Sequence, residues 1–112
     1  MARVDLDAVI AETRSVDAEE RRLAVRELCA CRIKANHGEA WDRVLELTSD
    51  PHVDVRKNAL HVLIDGSPRA REREVVGAIE GMRVDPDPKL RRNVRRVLAR
   101  YRRTGQINLN QH

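Results

Sequence analysis

Two rows of cations recur along this chain at a fixed spacing. Arg22, Lys57 and Arg92 stand 35 residues apart, and Arg26, His61 and Arg96 repeat that spacing four positions later. On helices, two rows four residues apart share one face. Helices laid side by side would then carry parallel positive stripes, able to grip phosphates or a carboxylate-rich protein segment. The bland alternative is a solvated face whose cations pair with Glu19, Asp54 and Glu27. On the sequence alone, both readings stand.

The elements that must position these rows follow from the same period. Residues 50–60 read Asp50-Pro51-His52-Val53-Asp54-Val55-Arg56-Lys57-Asn58-Ala59-Leu60, and residues 85–95 read Asp85-Pro86-Asp87-Pro88-Lys89-Leu90-Arg91-Arg92-Asn93-Val94-Arg95. A first copy over 15–28 is weaker but in register. Its Arg21-Arg22 fall on Arg56-Lys57 and Arg91-Arg92, its Ala24 on Ala59 and Val94, and its Leu28 on Leu63 and Leu98. The stretches between also align: Leu6, Trp41 and Val76 share a phase, as do Val9, Val44 and Ile79. Apolar residues recur at three and four, as in Val55-Ala59-Val62-Leu63, which is the stripe of a helix with one buried face.

These patterns predict helices over 5–13, 18–33, 39–48, 53–64, 69–82 and 87–103. The fold expected is all-α, an α-solenoid of three stacked helical hairpins with a period of 35 residues. One domain spans 1–105, with units at about 1–36, 37–66 and 67–105, and residues 106–112 form a polar tail. Asp65-Gly66-Ser67-Pro68 reads as a left-handed glycine C-cap, a serine N-cap and a proline in the first helical turn. Pro51, Pro86 and Pro88 are expected to begin second helices, where a missing amide hydrogen costs little. Glu20 stands where later copies have Val55 and Leu90, and Arg95 where earlier ones have Val25 and Leu60. Polar residues at those two places suit the outer faces of terminal units.

The Asp-Pro-x-x-x-Val/Leu-Arg-x-x-Ala/Val-x-x-x-Leu pattern at 50–63 and 85–98 resembles HEAT repeats of the short bacterial type. Leu28-Cys29-Ala30-Cys31, Trp41-Asp42-Arg43, Leu60-His61-Val62-Leu63 and Tyr101-Arg102-Arg103-Thr104-Gly105 make the whole chain similar to small standalone bacterial HEAT-repeat proteins. The resemblance implies macromolecular binding. It also implies a structural ladder in which the turn acids Asp50 and Asp85 meet the helix arginines Arg21, Arg56 and Arg91. In the first copy Ser15-Val16 replaces Asp-Pro, and the period is shorter than the roughly 40 residues of most HEAT units.

Composition narrows the function classes. Charged residues make up 36% of the chain, which suits an elongated fold with much surface. Trp41 and Tyr101 are the only aromatic side chains among Phe, Trp and Tyr, so the core must be built from Leu, Val, Ile and Ala. Residues 1–50 carry 8 basic and 11 acidic side chains, whereas residues 87–112 carry 8 basic and 1 acidic. No apolar run is long enough to span a bilayer, and the N-terminus lacks the apolar stretch of a signal peptide. With two cysteines and no export signal, a reduced cytoplasmic chain is expected.

No residue set specifies catalysis or a cofactor. Cys29 and Cys31, two apart on one helix, would point about 200° away from each other, so neither a shared metal ion nor a disulfide is expected. No motif joins Cys29 or Ser67 to a histidine as a nucleophile. Trp41 shares the phase of Leu6 and Val76, and Tyr101 that of Leu98 and Val94, so both are assigned to the core, which leaves nothing to stack on bases. The function expected is a non-catalytic protein-interaction module binding an acidic partner through Arg22, Arg26, Lys57, His61, Arg92 and Arg96. The alternative is nucleic-acid binding without sequence preference, through the same stripe and the last helix. The acidic first unit and basic last unit also allow a monomer to associate weakly head to tail.

Overall fold

Apolar periodicity, caps and prolines together place the helices, and a computed structural model of the chain shows where each one starts and stops. The structure describes residues 5–28 and 33–108. Among them are six α-helices and no strand: α1 (Leu6–Glu12), α2 (Ala18–Glu27), α3 (Gly38–Leu47), α4 (Val53–Gly66), α5 (Glu72–Gly81) and α6 (Pro88–Thr104). Short 3-10 turns, Arg69–Arg71 and Met82–Val84, flank α5. No helix among the described residues is long and apolar enough to cross a membrane.

Side-chain acceptors start most of the helices by satisfying amides that have no partner within the helix. Asp5, Asp17 and Asp87 do so at α1, α2 and α6. At α3 and α4 the acceptor is the Nδ1 atom of His37 or His52, which takes the amide of Ala40 or Asp54. Pro88 opens α6, whereas Pro51 and Pro86 lie one residue ahead of the caps His52 and Asp87. Gly105 ends α6 at φ 72°, the left-handed conformation that glycine adopts without steric cost.

Three expectations need correction. Gly66 is the last residue of α4 and is not left-handed, and Ser67 closes that helix with ψ 143° instead of opening the next. The cause is Pro68, whose ring drives the preceding residue out of the α region and into extended backbone. Helix α5 consequently begins only after the 3-10 turn. Secondly, α2 stops at Glu27, and the amide of Leu28 is shared between the carbonyls of Ala24 and Val25. The expected continuation over 29–32 lies outside the described residues, as do Cys29 and Cys31. Lastly, the segment read as a polar tail starts packed. Ile107 is buried, and Asn108 donates to the Ser67 carbonyl at 3.0 Å.

The helices pack as successive pairs, α1 on α2, α3 on α4 and α5 on α6. Helix α2 also lies against α4, and more closely than α4 approaches α6. The body measures 40 × 33 × 20 Å. Its core runs through Val25, Leu28, Trp41, Val44, Leu60, Leu63, Ile79 and Val94, all essentially inaccessible. The Trp41 indole N–H, too costly to bury unpaired, donates to the Lys34 carbonyl at 3.1 Å. Val55 and Leu90 are buried whereas Glu20 is exposed; Val25 and Leu60 are buried whereas Arg95 is exposed.

The same arginine contact recurs in all three turns. Arg21 Nη1 donates to the carbonyls of Ser15 and Val16, Arg56 Nη1 to those of Asp50 and Pro51, and Arg91 Nη1 to those of Asp85 and Pro86. Two of these arginines also fork onto the aspartate one period ahead. Arg21 meets Asp50 at 2.9 and 3.2 Å, and Arg56 meets Asp85 at 2.7 and 3.0 Å. Each aspartate accepts a further amide hydrogen, from His52 or Asp87. Ser15 accepts the Asp17 amide in the corresponding way but brings no negative charge. Burial alone would raise the Asp85 pKa. The hydrogen bonds from Arg56 and the Asp87 amide, with the charges of Arg56 and Arg91, outweigh it and hold the carboxyl below its ordinary value.

Candidate functional site

The cation rows arise from helix periodicity: Lys57 and His61 are one turn apart on α4, and Arg92 and Arg96 one turn apart on α6. The space between these helices is a groove of about 460 Å³. Arg26 of α2, Lys57, Asn58, His61 and Asp65 of α4, and Asn93 of α6 line it. A second hollow of about 380 Å³ shares Lys57 and Asn93 and reaches Asp54, Asp87 and Lys89, the N-terminal ends of the same helices.

The six stripe residues divide into three groups. Arg26, Lys57 and His61 line one groove. Arg92 and Arg96 are exposed on α6, but the side chain that α6 places in the groove is Asn93. Arg22 is committed to Glu19, with Nε at 2.9 Å from Oε2 and a second contact through Nη2. The Glu19 hydrogen bond raises the Arg22 pKa, and the reciprocal bond lowers that of Glu19. The paired-surface reading therefore describes Arg22. It does not describe the remainder, because Arg26, Lys57, His61, Arg92 and Arg96 have no ion-pair partner among the described residues.

The cause of this asymmetry is written three positions upstream of the first row. Glu19 precedes Arg22 and Asp54 precedes Lys57, but Lys89 precedes Arg92. The Asp54 carboxylate lies 3.9 Å from Nδ1 of the cap residue His52 and leaves the Lys57 ammonium unbridged. Positive charge thus accumulates toward α6. An anion entering the groove would meet Arg26, Lys57 and His61, none of which has an ion-pair partner among the described residues.

Asn58 and Asn93 were missed as site residues. They occupy one repeat position, between the two cation rows, where the first copy has Leu23. Both are half-buried, and their amides make no hydrogen bond among the described residues. The signal available was this recurrence of a polar side chain inside an otherwise apolar-and-cation pattern. An asparagine offers two donors and an acceptor, so the pair can bind uncharged amide groups between the flanking cations.

Comparison of the chain with protein-family models, with curated proteins and with solved structures finds no match.

Proposed function

We propose that the chain is a HEAT-like α-solenoid of three stacked hairpins, of bacterial type, acting as a non-catalytic protein-interaction module. The repeated arginine contact at the three turns supports the architecture. The partner is an acidic, extended protein segment held in the groove between α4 and α6. Arg26 of α2, with Lys57 and His61 of α4, attracts its carboxylates within the groove, and Arg92 and Arg96, exposed on α6, add to the positive field. The observation that carries this reading is that Arg26, Lys57 and His61 line a groove beside the exposed Arg92 and Arg96 of α6, and that all five lack ion-pair partners among the described residues.

The experiment is a titration of a labelled glutamate-rich peptide with the protein, repeated with a mixed-sequence DNA duplex. Peptide binding should weaken when salt is raised, because screening acts strongly on exposed charge. It should be lost in the Lys57→Glu/Arg92→Glu variant and preserved in Arg22→Ala, since Arg22 is already neutralised by Glu19. Duplex binding tighter than peptide binding, with the steep salt dependence of counterion release, would replace the protein partner with nucleic acid. An unchanged titration after charge reversal would reduce the stripe to a solvated face.

A further inference from the structure

A third hollow, independent of the basic groove, lies where the second and third copies of the repeat meet at their turns. It measures about 530 Å³ and is lined by Thr48, Gly77, Ala78, Gly81 and Val84 beside the Arg56–Asp85 pair. The chain contains its own template for what such a place holds. One period earlier, Thr13 ends α1 as Thr48 ends α3, and each hydroxyl donates back to the carbonyl three residues before it, Ile10 or Leu45. Thr13 is then covered by Arg43, whose Nε donates to Thr13 Oγ1 at 2.8 Å and Nη2 to the Thr13 carbonyl at 2.9 Å.

At the second junction the matching acceptors remain and the arginine does not. Ala78 occupies the position of Arg43, Gly77 that of Asp42, and Gly81 that of Glu46. Among the described residues no donor reaches the Thr48 carbonyl or the acceptor side of its hydroxyl, although Thr48 is only 6% exposed. These acceptors sit at the C-terminus of α3, where the helix dipole favours a cation. Arg43 is half-buried, and burial with the charges of Arg14 and Arg21 holds its pKa down against the attraction of Glu46 and Asp50. At the second junction Ser49 stands where Arg14 would be and Gly81 where Glu46 would be, so one repulsion and one attraction are both removed. Val84, 83% exposed on the rim, offers apolar contact to the methylene stem of a long cationic side chain.

The geometry points to a guanidinium-binding site: the hollow takes an arginine side chain presented by a partner protein, held on the Thr48 hydroxyl and carbonyl as Thr13 holds Arg43. A planar fork can bridge both acceptors at once, which a lysine ammonium cannot do equally well.

The test is amide chemical-shift mapping of the full chain with the probe peptide acetyl-Gly-Arg-Gly-amide and its lysine counterpart. Saturable shifts at Thr48, Gly77, Ala78 and Gly81, several-fold weaker for the lysine peptide, are expected. Ala78→Arg should abolish them by filling the site from within and should raise Tm by about 4 °C. The rise should disappear in Ala78→Arg/Thr48→Val. Ala78→Met, which fills space without donating, should block the peptide without the full gain in Tm. Absent shifts, equal shifts from both peptides, or arginine-peptide binding that survives Ala78→Arg would overturn the proposal. Shifts at these amides on concentrating the protein alone would overturn the separate partner and make a second copy the donor. None of these readouts depends on the Lys57 and Arg92 cations, so failure here leaves the acidic-segment reading standing.

Discussion

The junction between the first and second copies of the repeat and the junction between the second and third are built from the same parts to different ends. At the first, α2 lies close on α4, Arg43 seals the Thr13 turn, and Arg22 is tied to Glu19. At the second, α4 and α6 stand further apart, Ala78 brings no donor to Thr48, and Lys57 and Arg92 lack ion-pair partners among the described residues. What both share is the arginine–aspartate contact, Arg21–Asp50 and Arg56–Asp85. The contrast teaches that repeat positions common to both junctions hold the body together. Positions where the copies diverge leave a groove and a hollow at the second junction.

The largest expected effect tests what is common. Leu63 is inaccessible in the central copy, and Leu63→Ala should cost about 2–5 kcal/mol, while Leu63→Asp should abolish cooperative unfolding altogether. Chemical denaturation reads both, and a stably folded Leu63→Asp variant would contradict the assigned packing.

Next come the two ion pairs. Removing Arg56 leaves Asp85 buried without its counter-charge, so Arg56→Ala should lose about 3 kcal/mol. Arg21→Ala should behave alike, because its fork onto Asp50 has the same form. Two very different losses would show that the junctions differ in their frame as well as in their surfaces.

Acid should report on one of these pairs directly. Because the folded state holds the Asp85 pKa below the ordinary value near 3.9, its contribution is fully present above that pH. It fades as pH falls through the lower, folded value. Stability measured from pH 5 downward (roughly the range in which carboxylates gain protons) should therefore drop more steeply in the native chain than in Asp85→Asn. Parallel curves would remove Asp85 from the acid limb.

The smallest stability effect concerns the seal. Arg43→Ala strips the Thr13 carbonyl and hydroxyl of their donors and should cost about 1–2 kcal/mol. It should also make the first junction accept the arginine probe peptide that the second accepts in the native chain. Thermal melts and peptide titration of the one variant check both halves.

How much of this was legible beforehand depends on whether a residue's role is repeated. The buried phases of Val55, Leu63 and Trp41 follow from a pattern that recurs every 35 positions, whereas the arginine–aspartate contact is expected only through the resemblance to HEAT repeats. Boundaries without a repeated signal were harder to place. Helix α2 ends at Glu27 with neither glycine nor proline near it, and the constraint of Pro68 on Ser67 overrides the left-handed cap that Gly66 signals. Ile107 sits in a polar run, and its burial beside the Ser67–Asn108 contact joins residues 41 apart in sequence. The stripe was legible as a set of cations, but its division was not. That depends on Glu19 reaching Arg22 while Asp54 does not reach Lys57, a matter of side-chain placement. Asn58 and Asn93 were visible as a repeated pair, yet only the groove between α4 and α6 gives their amides something to face.

The most direct test of the central claim is amide shift mapping of the chain with a glutamate-rich peptide at low salt. Shifts are expected to centre on Lys57, Asn58, His61 and Asn93, with Arg22 unmoved beside Glu19. Shifts centred on Arg22 and α2, or spread evenly over every exposed cation, would contradict the assignment of the open junction as the binding face.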